Sequence, residues 1–240
     1  MATVNPGDEV LMADPFFVSY KHLTNMFGGK CVYINTYPEF HLTPAQCEAC
    51  VSPKSKLLLL NSPGNPHGAV YTTEELKNLA DFARKHQLLV ISDEIYREFS
   101  YDQPAGSIAE YYDNTIVMRG YSKTFGAPGW RLGYMAVPNH LKGVLEQATN
   151  LQQYTFVCAP HPLQAGILKG LDADMSEHID HYRRKRDMIY EGLKGKFGLI
   201  KPAGAFYAFV PAPGGKATEF VTKAIQNNVL IIPGSVFSTR

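Results

Sequence analysis

Five side chains of this 240-residue chain are of the types that hold a small polar ligand and move protons around it. They are a primary amine (Lys123), a carboxylate (Asp93), a phenol (Tyr96), a carboxamide (Asn65) and a guanidinium (Arg131). Each has an ordinary reading by itself. A lysine after a strand is commonly a solvated charge, an aspartate there commonly caps the next helix, and an asparagine between two prolines makes a turn. Tyrosine packs half-buried, and arginine pairs with a carboxylate. Their placement speaks against taking all five that way. Asn65 lies in NSPGNPHG (Asn61 to Gly68), directly after the apolar run Leu57 to Leu60. Asp93 and Tyr96 follow Leu88 to Ser92. Lys123 follows Thr115 to Met118, within GYSKTFGAPGWRLGY (Gly120 to Tyr134), and Arg131 comes eight residues later. In open α/β sheets, ligands sit beyond the carboxyl ends of parallel strands, so three such ends would deliver these groups to one crevice.

The motifs at those ends are N-P-x-G (Asn65 to Gly68), D-x-x-Y (Asp93 to Tyr96) and S-K-x7-R-x-G (Ser122 to Gly133). With the opening GDEVLMADPFFVSY (Gly7 to Tyr20) and the late PAGAFYAF (Pro202 to Phe209), the chain resembles the pyridoxal-phosphate (PLP) aminotransferases of class I/II, the aspartate aminotransferase-like fold type I enzymes. The resemblance runs over essentially the whole chain. It implies PLP as cofactor, held by Lys123 as a Schiff base, with Lys123 serving as proton carrier once freed. It implies that Asp93 faces the pyridine nitrogen and keeps it protonated, so that the ring can act as an electron sink. By the same resemblance Asn65 and Tyr96 hydrogen-bond the ring's phenolic oxygen, Phe17 stacks on the ring, and Ser122 belongs to the cofactor site. Arg131 takes the phosphate, for which its planar fork is suited. The implied reaction moves an amino group from an L-amino acid to a 2-oxo acid in two half-reactions.

Departures from the family pattern accompany the matches. Gly120 stands three residues before the lysine, where the family often has a hydroxyl; His67 stands where threonine is commoner, and its turn predicts an exposed side chain. The family's phosphate-cradling loop and its N-terminal substrate-contacting segment precede the part at which this chain begins. Its substrate-carboxylate arginine lies beyond the segment matched by Pro233 to Phe237. The expectation is therefore a fragment. Two alternatives accompany it: another PLP reaction on the same scaffold, such as a β-lyase, or an inactive truncated chain.

The positioning elements are legible in the pattern. Strands are expected at Glu9 to Ala13, Cys31 to Ile34, Lys56 to Leu60, Leu88 to Ser92, Thr115 to Met118 and Arg131 to Val137, alternating with helices at Phe16 to Phe27, from Thr43, and at Glu74 to His86. Thr43 with Gln46, and Thr72 with Glu75, read as capping boxes. Near-continuous apolar strands alternating with helices indicate an α/β fold, a mostly parallel sheet covered on both faces. Beyond Asn139 come helices at Leu141 to Tyr154, Pro160 to Leu171 and Ser176 to Lys196. Lys201 to Val210, a helix near Ala217 to Asn227 and a strand at Val229 to Ile232 then suggest an incomplete α+β small domain. The boundary divides 1–172, the PLP-binding large domain, from 173–240.

Composition narrows the partners. The 23 Lys and Arg nearly balance the 22 Asp and Glu, giving a net charge of +1 and no reason to expect nucleic acid or an anionic membrane surface. Neither a membrane-spanning run nor a signal-peptide pattern is visible, so a cytoplasmic protein is expected. Cys47 and Cys50 form a single C-x-x-C one helical turn apart, with no second pair to complete a metal site; Cys31 and Cys158 read as small buried residues. The run Arg183 to Arg186, beside His178 and His181, circles its helix and reads as a solvated surface. Tyr154 and Thr155 lie where family members reach a partner subunit, which implies a homodimer for the full-length protein.

Overall fold

The computed structural model describes residues 2–240. Six strands form one sheet in the order β2-β1-β3-β4-β5-β6. These are β1 (Glu9–Asp14), β2 (Lys30–Asn35), β3 (Ser55–Asn61), β4 (Leu89–Asp93), β5 (Thr115–Gly120) and β6 (Gly133–Ala136). The first five run parallel, and β6 returns antiparallel along the β5 edge. Helix α1 (Val18–Met26) connects β1 to β2, α2 (Pro44–Glu48) lies between β2 and β3, and α3 (Thr73–Lys85) connects β3 to β4.

Side-chain alternation along the strands assigns the two faces. Leu11, Ile34, Leu58, Leu60 and Val90 pack with Cys47 of α2 and with Leu76, Leu79, Ala80 and Ala83 of α3. Val10, Met12 and Leu57 point the other way, onto Phe16 and Tyr20. Both expected capping boxes are formed: Thr43 with Gln46, and Thr72 with Glu75, satisfy the first amides of α2 and α3. Cys47 is fully buried, and burial pushes its thiol up to about 12, so it packs as a small apolar group.

Four more helices follow: α4 (Lys142–Thr155), α5 (His161–Gly170), α6 (Ser176–Leu193) and α7 (Ala217–Gln226). No strand forms over Lys201–Val210 or Val229–Ile232. In the first segment Ala205 takes a φ of 54°, which breaks the extended run, and Gly204 makes one isolated bridge to Ser100. In the second, the positive φ of Asn228 and the following Pro233 bracket a run that pairs with no strand among the described residues.

Three further expectations are corrected. Cys158 is exposed, in the stretch between α4 and α5, and Cys31 is only half-buried. Arg186 is not solvated: its guanidinium reaches from α6 to Asp102 at 2.9 and 3.0 Å and stacks over the Tyr101 ring at 4.9 Å. His67 is buried, stacked on Phe40 with ring centroids 5.3 Å apart, and its Nδ1 accepts from the Ala69 amide at 3.0 Å. A Cβ on Gly64 would collide with that ring, which explains the glycine.

Burial without a counter-charge lowers the His67 pKa from 6.5 to about 3, with His41 adding a smaller push the same way. Unfolding frees the imidazole to take a proton below its ordinary pKa, while the folded ring refuses it until near 3. Stability is therefore lost as pH falls from about 6.5 towards 3. Urea titrations across that window are expected to show a shallower acid loss for His67→Gln than for the parent chain. Parallel curves would refute the assignment.

Candidate active site

Strand register brings the polar groups together. Asn61 at the end of β3 lies opposite Asp93 at the end of β4. The Asn61 amide donates to the Asp93 carbonyl at 3.0 Å, and its Oδ1 accepts from the Asn65 backbone at 2.8 Å. One side chain thus fixes the turn that carries Asn65. From α1, Tyr20 donates its hydroxyl to Asp93 Oδ2 at 2.6 Å, while the Ile95 amide donates to Oδ1 at 3.1 Å. Phe17 precedes Tyr20 by three residues, places its ring edge-on to that of Tyr20 at 5.5 Å, and lies on the same cavity. Lys123 sits in the turn after β5, with Nζ 5.8 Å from the Tyr96 ring centre and 5.9 Å from that of Phe206.

Phe17, Asn65, Asp93, Tyr96 and Lys123 all line one cavity of about 270 Å³, together with Tyr20, Asn61, Arg119 and Tyr207. Two groups in it lack a full set of partners. Asp93 is held by neutral donors only, and burial raises its pKa against the downward pull of Tyr20 and Ile95. Asn65 Oδ1 is buried with no hydrogen-bond partner. A ligand bringing a cationic N–H to the first and a polar atom to the second suits the cavity. Lys123 pairs with no carboxylate among the described residues, which leaves its amine free for a ligand.

Beneath the cavity, Glu94 is a structural anchor. Buried to 2% exposure, it accepts from Arg119 at 2.8 and 3.0 Å, from Arg97 at 3.3 Å and from the hydroxyls of Ser92 and Ser107. Arg119 is thereby committed to Glu94, although it also borders the cavity.

Two of the expected residues stand apart. Arg131 is exposed at φ 53°, and its guanidinium donates to the Pro128 carbonyl at 2.7 Å. Its backbone neighbour Leu132 accepts from Tyr121 at 3.2 Å, so the residue is near the lysine turn while its side chain leads away. Ser122 is half-buried outside the cavity lining; its carbonyl accepts from Ala127 and closes the turn. Conversely, Tyr20, Asn61, Arg119 and Tyr207 line the cavity from outside the expected set. The i, i+3 spacing from Phe17 is a signal for Tyr20, and Asn61 is the last residue of its strand. Tyr207 lies inside the PAGAFYAF motif.

The sequence model of the family "Aminotransferase class I and II" matches residues 1–240. The chain is 40% identical over 249 residues to a putative aminotransferase, YugH, of Bacillus subtilis, covering 98% of this chain and 64% of that protein. It is 37% identical to a probable aspartate aminotransferase of Methanocaldococcus jannaschii, covering 99% and 65%. Among solved structures, an aromatic aminotransferase from Pyrococcus horikoshii superposes with a TM-score of 0.93 at 35% identity, covering 98% of this chain and 66% of that one. Sheet, site and sequence therefore define one class of protein. The chain belongs to the class I and II aminotransferases, with the mostly parallel sheet of their fold. It spans 64% and 65% of the lengths of the two curated relatives.

Proposed function

We propose that this chain carries the cofactor-holding part of a pyridoxal-phosphate-dependent aminotransferase that moves an amino group from an L-amino acid to a 2-oxo acid. The observation that carries this reading is the convergence of Lys123, Asp93, Asn65, Tyr96 and Phe17 on one cavity. When bound, the cofactor supplies an electron sink for the amino-acid carbon that loses its proton. Lys123 would supply the amine that holds the cofactor covalently and, when free, the base that moves that proton. Asp93 offers its carboxylate to a protonated ring nitrogen, whose charge would reverse the upward shift that burial imposes. Asn65 and Tyr96 would hydrogen-bond the ring's phenolic oxygen and Phe17 would stack on the ring face, roles supported by their lining the same cavity as Lys123. The phosphate role of Arg131 is supported by its residue type and motif; to fill it, the guanidinium would leave Pro128 and turn inward. Ser122 is proposed as a neighbour of the same phosphate on its motif alone.

The assembly implied is a large domain over 1–172 and part of a smaller one over 173–240. A homodimer is supported by the bare apolar side chains of Tyr154, Phe156 and Val157. Free cysteines at 31, 47, 50 and 158 support a reducing, cytoplasmic setting. No helix among the described residues is long and apolar enough to cross a membrane.

The test is the visible absorption of the chain mixed with PLP, before and after borohydride, with the reduced peptide mapped. Cofactor trapped on Lys123 is the expected result. No trapped cofactor, or trapping on another lysine, refutes the reading.

A further inference from the structure

The segment Pro202–Tyr207 reaches the cavity from the far part of the chain and is held with unusual completeness. The Gly204 amide donates to the Gly68 carbonyl at 2.8 Å, and the Ala205 amide donates to the Phe99 carbonyl at 2.8 Å. Tyr101 donates its hydroxyl to the Ala205 carbonyl, and Arg186 donates to that of Pro202. No side chain fits at Gly204, where a Cβ would stand 2.7 Å from the Phe99 carbonyl and 2.8 Å from Pro63. These restraints deliver one polar atom to the site. The Tyr207 hydroxyl lies 2.6 Å from the Tyr96 hydroxyl, with the two rings edge to face at 87°. Phe206, the preceding residue, packs edge-on against Tyr96 from 5.2 Å and fixes its ring.

Two hydroxyls at that distance share one hydrogen bond, and either can be the donor. An anionic oxygen in the cavity decides the direction, because Tyr96 must then donate into the cavity and its own oxygen is left to accept from Tyr207. A phenol that accepts a hydrogen bond while donating one is polarised and becomes a stronger donor. We propose that Tyr207 is a positioning residue of this site, acting through Tyr96: it donates to the Tyr96 oxygen and so aims and strengthens the hydrogen bond that Tyr96 gives to the ligand. The inference rests on the cofactor reading above and extends it to the second part of the chain.

The test compares the parent chain, Tyr207→Phe, Tyr96→Phe and the double variant, each loaded with PLP and titrated by visible absorbance. A hydroxyl donated to the cofactor's anionic oxygen opposes uptake of a proton beside it, so weakening that donor raises the pH midpoint. Tyr207→Phe is expected to raise the midpoint by about half to one unit, a three- to ten-fold gain in proton affinity. In the Tyr96→Phe background the same change is expected to add nothing, since the intermediary is gone. An unmoved midpoint in Tyr207→Phe, or an equal shift in both backgrounds, overturns the inference while the cofactor reading stands. Absence of borohydride-trapped cofactor on Lys123 in the parent chain overturns both.

Discussion

Replacing Lys123 with alanine yields a chain that folds as the parent does and takes up no cofactor covalently. The residue sits in a turn whose backbone bonds run from Phe125 to Tyr121 and from Ala127 to Ser122, none of them involving its side chain. Its amine rests near two aromatic rings and has no carboxylate partner among the described residues, so truncation removes no ion pair. Stability is expected within about 1 kcal/mol of the parent, the scale of the cation–π contacts with Tyr96 and Phe206 that are lost. Borohydride-trapped cofactor, by contrast, is expected to fall to background. A Lys123→Ala chain that still traps cofactor would remove Lys123 from its role. One that unfolds would show that the side chain is structural.

The second large effect runs in opposite directions with and without cofactor. Burial raises the Asp93 pKa, so the folded chain carries the ionised carboxylate at a cost that the unfolded chain avoids. The cost is absent at acid pH, appears as pH rises through the ordinary aspartate range, and is fully present once pH has passed the raised value of the folded chain. Asp93→Asn removes the charge and keeps the shape: the amide oxygen can still accept from Ile95, and the amide nitrogen can donate to the Tyr20 oxygen in place of the hydroxyl's own donation. The cofactor-free variant is therefore expected to melt above the parent at pH 7, by roughly 2–4 °C for each kcal/mol relieved in a chain of this size. Amino-group transfer, measured in the full-length protein, is expected to drop on the order of 10²–10³-fold, since a preorganised charge opposite the reacting system is lost. A lower cofactor-free melting temperature would show that the carboxylate is stabilising as it stands. Near-parent turnover would deny it the ring-nitrogen role.

How much of this could be read beforehand follows from the range of each interaction. The strands at Leu57 to Leu60 and Leu88 to Ser92, and the caps at Thr43 and Thr72, depend on neighbours within a few residues, and they formed as the pattern says. The convergence of Asn65, Asp93, Tyr96 and Lys123 was legible because strand ends have a fixed address in a parallel sheet. The burial of His67 is not legible in its turn motif, because what covers the ring is Phe40, 27 residues away in the sequence. Tyr20 and Asp93 meet across 73 residues, and Tyr96 and Tyr207 across 111, with no local pattern to announce either pair. The direction of the Arg131 side chain is a rotamer choice made by its surroundings. The run from Lys201 to Val210 has strand-like composition, and a single positive φ at Ala205 undoes it.

The end of β1 is tied to the last residues described. Phe16 donates its amide to the Phe237 carbonyl at 2.8 Å, and the Thr239 amide and hydroxyl both donate to Asp14, 225 residues away. A ribosome adds about 5–20 residues per second, so at least ~11–45 s separate synthesis of the two halves of that clasp. Throughout that interval the first strand's carboxyl end has no native cover from the later chain. The strand end that precedes Phe17 thus gains this cover only after all six strands of the sheet have been synthesised, and slow elongation lengthens the time it stays bare.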